Sequence, residues 1–155
     1  MARQSAGILL YRFSEQHELQ VLLVHPGGPF WRNKDVSAWS IPKGEPEEGE
    51  ALMAAAVREF LEETGSELNG NFIQLKAVQQ KNGKTVSAWA VEGDLDADNI
   101  RSNYFEMEWP PGSKKKQSFP EIDRAAWFSL SDAATRINPA QVSFLHELAG
   151  LQTGK

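Results

Sequence analysis

Apolar and polar positions along the chain first switch between a strand period and a helix period, then lose regularity. Gln4 to Phe13 predicts a strand whose centre, Ala6 to Tyr11, is apolar on both faces, as in a sheet covered on both sides. Ser14 to His17 is a polar turn, and Leu19 to His25 predicts the returning strand of a hairpin. After a Pro-Gly-Gly-Pro loop and the aromatic pair Phe30-Trp31, a short strand from Trp39 runs through Pro42-Lys43-Gly44 into a loop. Ala51 to Thr64 predicts a helix. At about 100° per residue, Met53, Val57, Phe60, Leu61 and Thr64 form its expected apolar stripe. Glu59, Glu62 and Glu63 fall on the opposite side, together with Leu52, Ala55 and Ala56.

Phe72 to Gln80 alternates as a strand, Asn82-Gly83 marks a tight hairpin, and Thr85 to Val91 returns. Asp94 to Arg101 is acidic and polar, and is expected as loop. Asn103 to Glu121, with three prolines and three consecutive lysines, predicts little regular structure. Within it, Tyr104 to Trp109 reads as a short strand with Glu106 and Glu108 on one face. Lys114 to Lys116 read as a solvated tip, or else as an arm that closes on phosphates. Ala125 to Phe128 is a last short strand and Ser131 to Arg136 a helical turn. Asn138-Pro139 then caps a helix to Leu148, with Val142, Leu145 and Leu148 as its stripe.

Composition narrows the class. A chain of 155 residues with 41% hydrophobic and 24% charged residues is expected to form one domain, residues 1–155. There is no cysteine, which excludes disulfides, thiolate metal sites and cysteine nucleophiles. The apolar run before Arg12 is too short for a signal segment or a membrane span, so a cytoplasmic location without membrane partners is expected. The net charge of −5 argues against general nucleic-acid binding.

The chemistry concentrates between Gly44 and Glu67. Three carboxylates on one helical face repel one another. Either the face is simply solvated, or a cation sits among them, and hard divalent ions favour such oxygen ligands. The flanks decide between these readings. Gly44, Glu50, Arg58, Glu59, Phe60, Glu62, Glu63 and Gly65 resemble the box of the Nudix hydrolase family. Seven fixed identities at this spacing would arise by chance on the order of once in a million. Phe60 is bulkier than the box's usual aliphatic residue, and Ser66 stands where another aliphatic is usual.

The resemblance implies a Nudix fold, an α/β/α sandwich around a mixed sheet. It also implies metal-dependent cleavage of a pyrophosphate bond in a nucleoside diphosphate linked to another group. Glu59, Glu62, Glu63 and the Gly44 carbonyl would hold Mg²⁺ or Mn²⁺, and Lys43 would meet a phosphate. Arg58 lies about 100° from the acidic face and is expected to orient Glu50 or Glu59. The water's base is expected to be a box glutamate such as Glu59 or a later one, with Glu121 first and Glu106 and Glu108 as rivals. Glu47 and Glu48 suit the helix N-terminus instead. Trp31, Trp39, Trp89 and Tyr104 are the aromatics considered for base binding, with Trp89 and Tyr104 placed in the substrate set. The strand Lys84 to Trp89 is similar to that of asymmetrical diadenosine tetraphosphate hydrolases, so a dinucleoside polyphosphate cut to a nucleoside triphosphate plus monophosphate is the expected reaction. A triphosphate pyrophosphohydrolase and a non-catalytic nucleotide sensor are the alternatives, and homodimerisation stays open.

Overall fold

A computed structural model describes residues 3–153. The two central strands are those with no polar face. β1 (Gln4–Phe13) and β6 (Thr85–Glu92) run parallel, register Gln4 to Thr85 through Tyr11 to Glu92. β2 (Leu19–Pro26) pairs antiparallel with β1, and β9 (Ile122–Ser129) pairs antiparallel with β2. On the other flank β4 (Ile73–Gln74) and β5 (Val78–Gln79) each pair antiparallel with β6. β3 (Lys43–Gly44) crosses to pair with β1 at Ala6 and Gly7. The sheet is therefore mixed, in the order β4-β6-β1-β2-β9.

Alternation sends successive side chains to opposite faces, and each face is covered. Ala6, Ile8, Leu10, Leu22, Trp89 and Val91 pack against Ala55, Ala56 and Phe60 of α1 (Leu52–Thr64). Leu9, Tyr11, Val21, Leu23, Val86 and Ala88 pack against Ala133, Phe144, Leu145 and Leu148. The last four belong to α2 (Leu130–Arg136) and α3 (Val142–Thr153). This is the expected α/β/α sandwich. No described helix is long and apolar enough to cross a membrane.

Four expectations are corrected. The stripe of α1 is rotated from the predicted one. Met53 and Leu61 are 43% and 42% exposed, whereas Ala55 and Ala56, assigned to the acidic side, are fully buried. Two alanines let the helix backbone approach the sheet closely, and that closeness selects the face. The predicted strand Phe72 to Gln80 is broken in two, because the Lys76 amide turns away to donate to the Glu147 carboxylate at 2.8 Å. The last strand is longer than predicted, since all of Ile122–Ser129 finds partners along β2. Asn103 to Glu121, expected as largely irregular, forms an antiparallel ribbon, β7 (Tyr104–Glu108) and β8 (Lys116–Pro120). Its turn contains the cis bond Trp109–Pro110, and Phe105 faces Phe119 across the ribbon with centroids 6.1 Å apart.

Candidate active site

The acidic helix is delivered by β3 and its loop. Gly44 sits where a Cβ would fall inside the Glu59 carboxylate, so the box opens on a glycine for steric reasons. At the far end Gly65 (φ 80°) closes α1 in the left-handed region, its amide donating to the Leu61 carbonyl at 2.7 Å.

Arg58 organises the cluster. Its Nε and Nη2 each donate to a different oxygen of Glu50, both at 2.9 Å, and its Nη2 also reaches the Glu45 carbonyl at 3.1 Å. Its Nη1 bonds Glu59 at 3.0 Å and Glu62 at 3.2 Å. The forked contact with Arg58, helped by the Glu47 amide, holds the Glu50 carboxyl down to about 2. Arg58 itself is raised, chiefly by Glu50. Arg58 thus orients Glu50, as expected, and grips two further members of the acidic face.

Glu63 differs from its neighbours. It is 6% exposed, and burial raises its carboxyl well above the ordinary range, with the Glu59 charge adding to the effect. Lys43 acts the other way, by its charge and by its backbone amide, which hydrogen-bonds the carboxylate. Burial lowers the Lys43 ammonium, and Lys84 lowers it further, while Glu63, Glu45 and Glu59 oppose both. Glu59 is raised by burial against the pull of Arg58, with Glu62 and Glu121 adding like charge. Glu121 acts on Glu63 in the same sense.

Glu121 lies between β8 and β9. Its amide donates to the Asn103 carbonyl at 2.8 Å, the Asn103 amide donates to the Glu62 carbonyl on α1 at 3.2 Å, and the Gly27 amide donates to the Glu121 carbonyl at 2.8 Å. The ribbon is therefore rooted at the C-terminal end of the acidic helix. Gly27 is a glycine because a Cβ there would strike the Pro120 carbonyl. Glu106 and Glu108, the rival bases, are exposed along the ribbon, and Glu108 accepts from the Lys114 amide at 2.7 Å.

Among the described residues no three histidine or acidic side chains are gathered closely enough to enclose an ion as they stand. Glu59 and Glu62 are turned to Arg58. The donor set nevertheless fits a hard cation. Glu59 and Glu63 are carboxylates withdrawn from water beside like charge, and a divalent ion on their oxygens removes the conflict. Glu59, Glu62, Glu63 and the Gly44 carbonyl are the groups that would hold it.

Beside Glu63 and Lys43 lies a cavity of about 330 Å³, walled by Trp31, Trp39 and Ile122 and edged by Gln80, Asn138 and Gln141. Trp39 is core and wall at once: its Nε1–H donates to Asp35 at 2.8 Å, and its ring meets Phe128 edge-on at 5.0 Å and His25 at 5.2 Å. Buried His25 bridges the Lys34 carbonyl (2.5 Å) and Asp123 (2.8 Å), tying the loop that carries Trp31 to β9. The two aromatics placed in the substrate set do not line this cavity. Trp89 is 7% exposed in the core under α1, because its strand position faces that side, and Tyr104 is 67% exposed at the root of the ribbon. A larger depression of about 730 Å³ is lined by Arg12, Asp94 to Asp98 and Trp127, and by none of the box carboxylates. Gln80 and Gln141 went unnoticed in the sequence, where an isolated glutamine carries no signal. Asn138 was read only as a cap, a role it keeps by accepting from the Ala140 amide at 3.0 Å.

The NUDIX domain family model matches residues 1–148. Nucleoside diphosphate-linked moiety X motif 6 of Xenopus laevis is 46% identical over 50 residues, 32% of this chain and 22% of that protein. The chain thus spans well under two thirds of that relative. Among solved structures, a C. elegans Ap4A hydrolase in a binary complex superposes with a TM-score of 0.71 at 20% identity, over 97% of this chain and 99% of that one. The NUDIX domain of Shewanella oneidensis NrtR complexed with ADP ribose gives 0.65 at 17% identity, over 99% and 89%. A MutT protein from Methanosarcina mazei gives 0.61 at 19%, over 97% and 94%. At these identities the structures speak for the fold. The family match runs from the first residue into α3, and on that ground the chain belongs to the NUDIX domain family.

Proposed function

We propose that this chain, acting as a single domain, hydrolyses a pyrophosphate bond in a nucleoside diphosphate linked to another group. Dinucleoside polyphosphates cut to a nucleoside triphosphate and a monophosphate are the favoured class. The observation that carries the reading is the like charge that Glu59, Glu63 and Glu121 place on one another beside Lys43, with the Glu59 carboxylate against Gly44. Mg²⁺ or Mn²⁺ bound there supplies charge neutralisation on the phosphate oxygens and acidifies the attacking water. Arg58 holds Glu50 and keeps Glu59 and Glu62 beside it on the helix, from where those two would turn to the metal. Lys43 lines the cavity as a point charge for a phosphate. Glu121 is the favoured base, because it faces the cluster from a loop rather than being held by Arg58. The nucleoside lies in the cavity between Trp31 and Trp39, a role earlier given to Trp89 and Tyr104.

All box carboxylates are retained, which favours an enzyme over a sensor. A hydrolysis screen with products separated by chromatography tests this. It would cover dinucleoside tetraphosphates, nucleoside triphosphates, ADP-ribose, diphosphoinositol phosphates and 5′-triphosphate RNA, with and without Mg²⁺. Metal-dependent release of a triphosphate plus a monophosphate from a dinucleoside tetraphosphate, at the highest kcat/KM of the set, is the expected result. Tight nucleotide binding without cleavage of any member would sink the reading. For the base, Glu121→Gln should lower kcat and flatten the acid limb of the pH–rate profile while leaving metal affinity unchanged.

A further inference from the structure

The cavity beside Glu63 has a hydrogen-bonding sense that its composition hides. Four carboxamides edge it, Gln80, Asn82, Asn138 and Gln141, and a carboxamide ordinarily offers both an acceptor and a donor. Here each oxygen is already taken. The Asn138 Oδ1 accepts from the Ala140 amide at 3.0 Å, and the Asn82 Oδ1 accepts from the Lys84 amide at 2.9 Å. A backbone N–H can only donate, so neither side chain can be turned round.

Gln80 is fixed one step further out. The buried Gln141 accepts from the Ile41 amide at 3.1 Å through Oε1, which leaves its Nε2 to donate. That nitrogen gives one hydrogen bond to the Ser40 hydroxyl and one to the Gln80 Oε1, both at 3.1 Å. Gln141 is thereby saturated, and it locks Gln80 with the NH₂ group outward. Gln80 and Asn138 both line the cavity, and their NH₂ groups are the ends not spent on the Gln141 and Ala140 contacts. Lys43 and Glu63 line the same cavity and belong to its phosphate and metal end; of the other polar side chains on the walls, the Trp39 N–H is spent on Asp35 and the Ser40 hydroxyl on the Ile41 carbonyl. The Ser37 hydroxyl donates or accepts and does not discriminate.

A carboxamide reads adenine by using both ends, oxygen to the N6 amino group and nitrogen to N7, whereas the O6/N7 edge of guanine takes donors alone. We infer that this cavity selects a 6-oxopurine, the base of a guanine or hypoxanthine nucleotide, over adenine. Gln80 and Asn138 are then specificity-determining residues that donate to its acceptor edge. The inference rests on the reading of the cavity as the nucleoside site.

Inosine and adenosine nucleotides differ at the 6-position and its neighbouring N1, which makes them the right probes. Titration calorimetry of the full chain with IDP and with ADP, each with Mg²⁺, should give IDP an advantage of about tenfold or more. GDP should follow IDP. Equal affinities, or tighter ADP, would overturn the inference. Gln80→Glu supplies the decisive variant, because it keeps an oxygen for Gln141 to donate to and replaces the outward NH₂ by an acceptor. Its added charge weakens both ligands alike, so the IDP/ADP ratio is what is read. That ratio should fall about tenfold or more, and an unchanged ratio in a folded variant would also overturn the inference. Asn138→Asp, which preserves the cap, should move the ratio the same way.

Binding and turnover separate this inference from the hydrolase reading. A preference for IDP without cleavage of any polyphosphate supports the donor-lined cavity and removes the hydrolase. Cleavage of diguanosine and diadenosine tetraphosphate at equal kcat/KM does the reverse.

Discussion

Glu63 is a carboxylate that the fold both buries and surrounds with like charge, an arrangement that costs stability unless a cation shares it. Glu63→Gln should therefore cost turnover, by several orders of magnitude, without costing the fold. A thermal melt in chelator should be equal to or above that of the parent, and near-normal turnover in a folded, metal-saturated variant would remove Glu63 from the site. Arg58→Lys is not conservative here, since one ammonium cannot reproduce contacts to Glu50, Glu59 and Glu62 together. Activity should drop about 10- to 100-fold, as for other groups that orient metal ligands. The Glu50 carboxyl, followed by NMR, should climb from about 2 toward the ordinary range. The identities of these residues were legible, because Gly44, Glu50, Arg58 and the glutamates keep a fixed spacing. The burial of Glu63 was not. A helical wheel places it on the polar arc, and only the close approach of Ala55 and Ala56 to the sheet turns that arc inward.

Among the elements, those defined by local chemistry were read correctly. β1 matches its predicted range because its buried run is bounded by polar residues at both ends, and α1 ends where Gly65 allows φ of 80°. Gly65→Ala forces a Cβ into that backbone conformation and toward Arg101, 3.1 Å away. Urea denaturation should show a loss of about 1–2 kcal/mol with the m-value unchanged. Elements defined by distant partners were read only in part. Tyr104 to Trp109 was legible as a strand, but β8 is a strand only because it pairs with β7 across a Pro-Pro-Gly turn, and it carries too little alternation alone to announce it. The break between β4 and β5 depends on Glu147, more than seventy positions away in the folded chain's last helix.

For the whole molecule, opposing carboxylates set the response to pH. The Trp39 indole and Arg136 hold the Asp35 carboxyl below its usual value, joining the loop after β2 to α2. Its contribution is present above the unfolded value and is lost as pH falls through the lowered one. Glu63 has the opposite sign. Its raised carboxyl favours the fold below the unfolded value, and that benefit goes as pH rises through the folded one. Metal-stripped protein should thus melt higher in mildly acidic buffer than at neutral pH, and Glu63→Gln should shrink the difference, leaving the smaller share of Glu59. A melting temperature that rose steadily to neutrality in chelator would contradict this. The parallel pairing of β1 with β6 has a separate consequence, for synthesis. The ribosome releases β1 well before β6, the parallel strand that completes its pairing, which follows roughly 80 residues later. Until then the hairpin of β1 and β2 keeps both edges open, since β9 also comes later, and the face that α2 and α3 cover is bare. Nascent chains stalled before Thr85 should therefore be captured by chaperones or aggregate, and escape should come only after β9, α2 and α3 have followed β6.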